Sequence, residues 1–105
     1  FIQGTRSTLN ITGEFRPFVP TPQSQQLFEL YQAELGALGH KAEGEFSGGC
    51  ADSGVTSSLG AITLCGTGPV GGKFHTTDEY CEVDTIVPRG LAVLHTIARL
   101  PHARW

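Results

Sequence analysis

The sequence predicts an α/β protein, and three observations carry that reading. Short β-branched and apolar runs alternate with segments of helical periodicity, proline opens the two longest of those segments, and a glycine-rich loop follows a short apolar run. Strands alternating with helices build layers, yet a few short strands make a poor parallel sheet, which needs neighbours and cover on both faces. The chain therefore reads as part of a domain whose remainder lies elsewhere.

Residues 7–15, STLNITGEF, mix β-branched and apolar residues with polar ones and predict a strand. The stretch from Arg16 to Pro22 holds three prolines in seven residues, which makes it an extended connector and the best boundary in the chain. Thr21 can cap exposed N–H groups and Pro22 suits the first helical position, so a helix is expected over 22–38. Leu27, Leu30, Tyr31, Leu35 and Leu38 recur at its spacing, and Gly36 and Gly39 mark its end. Residues 43–46 predict a short strand, 47–49 a bend, and Asp52 or Ser53 the cap of a short helix closing near Gly60. Residues 61–65, AITLC, are apolar enough for a buried strand. After the glycine loop come an extended piece at 80–83 and a last helix that opens at Pro88 and stops before Pro101, with Leu91, Leu94, Ile97 and Ala98 on its apolar face.

The totals narrow the function. At 105 residues the chain makes one small domain at most, and its 14 glycines raise the entropy lost on folding. A charge of −3 with no Lys/Arg cluster gives little electrostatic basis for binding nucleic acid or an anionic membrane, and neither partner is expected. No apolar run approaches the roughly 20 residues that cross a bilayer, and the opening FIQGTRST lacks a signal pattern, so a soluble protein is expected, with the cytoplasm the favoured compartment. Cys50, Cys65 and Cys81 are odd in number and widely spaced, which fits neither a disulfide framework nor a thiolate zinc site; buried thiols are expected. Asn10-Ile11-Thr12 is formally a glycosylation acceptor and carries no weight here.

The stretch GTGPVGGKFHTTDEY, from Gly66 to Tyr80, concentrates the candidate chemistry. Its glycines invite a phosphate cradle, but the Walker pattern needs glycine where Thr67 stands and Ser or Thr where Phe74 stands. His75, with Asp78, Glu79 and Glu82 nearby, offers an imidazole to a metal; the plain alternative is a solvated loop histidine. Asp78 and Glu79 serve equally well to solvate or cap a turn. A serine or cysteine hydrolase fails for want of a GxSxG elbow or a recognisable Cys/His signature. Arg16, on a backbone stiffened by Pro17, presents a planar fork suited to a substrate carboxylate, against the alternative of a surface arginine.

Taken in order, FRPFVPT, SGGCAD, LGAITLCGTGPVGGKFHTTDEY and EVDTIVPRG resemble the C-terminal part of the dizinc amidohydrolase and peptidase family of glutamate carboxypeptidase, acetylornithine deacetylase and succinyl-diaminopimelate desuccinylase. The similarity spans residues 8–100, and GPVGGKFHTTDEY looks most like the glutamate carboxypeptidase branch. The resemblance implies part of the catalytic domain of a zinc exopeptidase, a phosphorylase/hydrolase-like three-layer sandwich. Residues 1–20 would be the last strand of a lid or dimerisation domain with its connector, and 21–105 the C-terminal part of the catalytic domain.

The resemblance also implies roles. His75 matches the family's last metal ligand, in a site that holds two zinc ions. Arg16 matches a lid arginine that grips the substrate carboxylate, and Gly48 and Gly49 match a pair that lets backbone approach substrate. Glu79 and Tyr80 would support the loop, and Asp52 would cap the short helix. Cys65 departs from an aspartate common in relatives, and Cys50 and Cys81 from small or β-branched residues, which puts the exact substrate in doubt. No residue here matches the other metal ligands or the glutamate base, so the chain is expected to be a fragment or processed piece, inactive alone. The parent would be a homodimeric zinc enzyme that cleaves a small peptide or N-acyl amino acid at an amide bond next to a free carboxylate. Two rivals remain: a non-catalytic relative or interaction module that keeps the fold without the metal pair, and an unrelated small α/β binding domain with a glycine loop.

Overall fold

A computed structural model describes residues 2–103. Residues 1, 104 and 105, which the expected domain bounds include, lie outside the described residues. The order of elements is α1 (Pro22–Ala37), α2 (Asp52–Ser58), β1 (Gly71–Gly72), β2 (Tyr80–Cys81), a single 3-10 turn (Val83–Thr85), α3 (Ile86–Arg99) and a second 3-10 turn (Leu100–His102).

Helix α1 begins where Thr21 and Pro22 place it. The Thr21 hydroxyl accepts from the Ser24 N–H at 3.1 Å, and the Ser24 hydroxyl in turn accepts from the Thr21 N–H at 2.7 Å. This reciprocal box satisfies donors that a helix start leaves open. At the other end Gly39 takes φ +82°, a left-handed conformation that costs glycine nothing, and the His40 N–H donates back to the Leu35 carbonyl at 3.2 Å. Helix α2 differs from expectation. Its N-cap is Ala51 with no side-chain cap, and Asp52 is the first helical residue, where its charge complements the positive end of the helix instead of capping it.

Helix α1 packs on α3, and the core lies between them: Tyr31, Leu35 and Ala92 are buried, with Leu38, Ala42, Leu64 and Val93 packed around them. Glu34 is buried in the same seam, where Arg99 Nε meets its carboxylate at 2.6 Å and His95 Nδ1 approaches to 3.7 Å. A carboxylate taken out of water is tolerated when such partners replace its hydration. Thr96, also buried, returns its hydroxyl to the Ala92 carbonyl at 2.7 Å.

The face of α3 that meets α1 is therefore its small side, Ala92 and Thr96. The Leu91–Leu94–Ile97 face, expected to be the packed one, is turned outward, and Val87 on the preceding turn is 67% exposed. Periodicity marks an apolar stripe without saying which neighbour it meets.

The strands expected over 7–15, 43–46 and 61–65 form no ladder among the described residues. An extended backbone becomes a strand only when another lies about 4.8 Å to its side. Leu9 and Phe46 are 89% and 97% exposed, while Leu64 alone of the 61–65 run reaches the core. The one ladder among the described residues is β1 with β2, antiparallel, pairing Gly71 with Cys81 and Gly72 with Tyr80. The three cysteines are exposed, contrary to the buried thiols expected, because no described layer covers β2 or the runs that carry Cys50 and Cys65. The radius of gyration is 18.4 Å, against about 13 Å for a close-packed chain of this length.

The proline connector is docked by its backbone. Gly54, buried in α2, lies so close to Arg16 that an added Cβ would overlap the Arg16 carbonyl oxygen, and the Ser57 hydroxyl donates to the Val19 carbonyl at 3.4 Å. Helix propensity alone favours alanine over glycine by about 1 kcal/mol at such a position. Gly54→Ala is nevertheless expected to destabilise the chain by roughly 1–3 kcal/mol through overpacking and to expose residues 16–20 to proteolysis. Urea unfolding with limited proteolysis checks this, and an alanine variant that is more stable and equally resistant contradicts the docking.

Candidate functional site

The glycine loop is held from below by two helices. On α3 the Arg89 guanidinium donates from Nε to the Gly68 carbonyl and from Nη2 to the Gly66 carbonyl at 2.8 Å. The same guanidinium lies over the Tyr31 ring of α1, 5.9 Å from its centroid, and the Tyr31 hydroxyl reaches the Thr67 carbonyl at 3.5 Å. Three successive carbonyls, 66 to 68, are thus met by side chains from two elements. Burial pushes the Tyr31 phenol above its ordinary value, and the Arg89 charge offsets part of that rise.

Beyond Gly68 the loop is tied to the turn before α3. The Val70 N–H donates to the Thr85 hydroxyl at 2.9 Å, and the Glu82 N–H to the Val70 carbonyl at 2.8 Å. The β1–β2 ladder follows, where close approach demands glycine: a Cβ on Gly71 would sit 2.5 Å from the Tyr80 carbonyl oxygen, and one on Gly72 would meet the Tyr80 ring. Tyr80 therefore lies across the base of the hairpin.

At the tip, Lys73 and His75 adopt φ +55° and +64°, a region non-glycine residues seldom occupy. The surrounding bonds hold them there. The Glu79 carboxylate accepts from the His75 N–H at 3.2 Å, the Thr76 hydroxyl donates to the Lys73 carbonyl at 2.7 Å, and Lys73 Nζ lies 3.8 Å from Asp78. Glu79 and Asp78 are spent on the loop itself, and the exposed His75 imidazole takes part in no hydrogen bond among the described residues.

Zinc in a catalytic site takes about three protein ligands and keeps one position open. His75 fits one of those places as a neutral nitrogen donor, while no group of three or more His, Cys, Asp or Glu side chains gathers among the described residues. Among the described residues Arg16, on the docked connector, makes a long, exposed ion pair with Glu14 at 3.8 Å and no other, which leaves most of its fork uncommitted there. Gly48 and Gly49 lie in the exposed approach to α2, with the Gly49 N–H turned back to the Ser47 hydroxyl at 3.1 Å. The connector and this approach share α2, whereas no hydrogen bond or ion pair among the described residues links Arg16, Gly48 or Gly49 to His75. A cleft of about 360 Å³ is lined by Thr21, Gln23, Ser57, Gly60, Ala61 and Ile62 and contains none of the four.

Sequence reasoning missed Arg89 and Tyr31 as parts of this site. Tyr31 counted only as a position on an apolar face, and no local pattern tells that Arg89 turns back to Gly68. Comparison with family models, with characterised proteins and with solved structures finds no match.

The raised phenol of Tyr31 carries a sign. The folded chain keeps that proton at pH values where the unfolded chain, ionising near 10, has lost it. Its stabilising contribution is complete below that value and is expected to fade as pH rises above it. Tyr31→Phe should flatten this limb of the stability profile, as read by urea unfolding at stepped pH; an unchanged alkaline limb in the variant refutes the link.

Proposed function

We propose that the chain is the C-terminal segment of a zinc-dependent amidohydrolase or metallopeptidase, glutamate carboxypeptidase-like, that cleaves an amide bond next to a free carboxylate. The observation that carries this reading is the hairpin tip: Glu79 satisfies the His75 backbone, the loop spends its own acids, and the imidazole is left free to bind.

In this reading His75 would be one ligand of a two-zinc site whose other ligands, with a glutamate base, come from the remainder of the parent chain. Bound zinc supplies a Lewis acid and lowers the pKa of a coordinated water. The residues of this chain do the rest by placement. Arg16 would take the substrate carboxylate by a charge-assisted, two-pronged contact, and the open backbone at Gly48 and Gly49 would let substrate lie close. The outward Leu91–Leu94–Ile97 face and the unpaired 61–65 run suit burial against that remainder, completing a three-layer sandwich. The segment 1–20 would be the end of a lid, with its connector, that also forms a homodimer.

A second reading, a non-catalytic relative or interaction module, draws on the same outward α3 face, which would serve any protein partner. A His-x-Asp pair and adjacent glutamates upstream in the parent favour the enzyme; their absence favours the module.

The chain alone, with added zinc, is expected to turn over neither N-acyl amino acids nor small peptides ending in glutamate. In the parent, His75→Ala should cost roughly a hundredfold or more in kcat/KM and lower the bound zinc. Arg16→Ala should raise KM by about 10- to 100-fold with kcat largely kept, the size of a lost charge-assisted hydrogen bond. Steady-state kinetics with metal analysis decides, and activity in the isolated chain or negligible effects of both changes would sink the proposal.

A further inference from the structure

We infer that Arg89 is the positioning residue of the glycine loop: gripping the Gly66 and Gly68 carbonyls while lying over Tyr31, it fixes the hairpin that presents His75.

Four glycines and a proline between Gly66 and Gly72 leave that stretch with much backbone freedom to lose. The guanidinium is a rigid fork, and its two bonds reach carbonyls two residues apart, which fixes the peptide planes around Thr67. Tyr31 limits the fork from beneath and takes the intervening carbonyl. From Gly68 the constraint passes through the Val70–Thr85 and Glu82–Val70 bonds into the ladder, and from the ladder to the tip braced by Glu79. A lysine at 89 would keep the charge but, as a single ammonium, would hold the two carbonyls less rigidly. Arg89 is not one of the hydrophobic residues of the α1–α3 core and meets it at the Tyr31 ring, so its loss should loosen the loop ahead of the helices.

Hydrogen exchange read by mass spectrometry on the intact protein tests this without reference to metal. In Arg89→Gln, peptides covering 70–82 should exchange about tenfold or more faster while peptides within 22–37 keep their rates, and Arg89→Lys should recover part of the protection. Tyr31→Phe, which keeps the ring and removes the hydroxyl, should give a smaller change confined to the same loop. Unchanged exchange over 70–82 overturns the inference, as do equal acceleration of loop and helix and a change that stops short of 73–79. Only the bearing on catalysis rests on the zinc reading, and a zinc titration separates the two. Protein that binds no zinc in any form defeats that reading and leaves the clamp standing, whereas normal zinc binding with no selective loop effect defeats the clamp.

Discussion

Tyr31 and Leu35 on one helix meet Ala92 on another, and the clamp on the glycine loop and the Glu34 seam take their positions from that contact. It sets the distance at which Arg89 can lie over the Tyr31 ring and still reach the carbonyls of the glycine loop. The same packing brings Glu34 into the seam where Arg99 and His95 can replace its water. A short carbonyl-gripping arginine and a sheltered carboxylate are both expensive to orient alone; on two packed helices the orientation is already made.

The contact is also narrow. Three apolar side chains are buried among the described residues, and the spread of the chain exceeds that of a close-packed domain by about two fifths. Larger apolar groups, such as Phe46, Leu94 and Ile97, face outward. The molecule thus combines a well-defined local scaffold with broad apolar surface.

What the sequence made legible follows from what is local. The cap at Thr21, the proline in the first turn and the glycine past the end delimit α1, because each acts within a few residues of itself. Helix α3 starts at Ile86, slightly ahead of Pro88, because proline is accommodated anywhere in a first turn whose N–H groups have no helical partner. The strands were not legible in the same way, since a strand is defined by a neighbour. In the glycine loop, freedom at Gly71 and Gly72 is used for close approach by extended backbone, while left-handed conformations fall on Gly66 and also on Lys73 and His75, which no local pattern marks. His75 and Arg16 were marked as chemical groups by residue type and setting and then by a resemblance; their local bracing and exposure are structural, and Arg89, far from its loop in sequence, had no mark at all.

The docking of the proline connector has a consequence for how the chain can change over generations. Gly54 receives the main-chain carbonyl of Arg16, so the attachment does not depend on which side chain position 16 carries. Glutamate, lysine or a neutral residue there would be held at the same place, with a different charge offered to whatever approaches. A fixed anchorage under a variable side chain is an evolvable arrangement: the charge presented at position 16 can drift by single substitutions while the constraint on the lineage falls on Gly54 and the Ser57–Val19 bond.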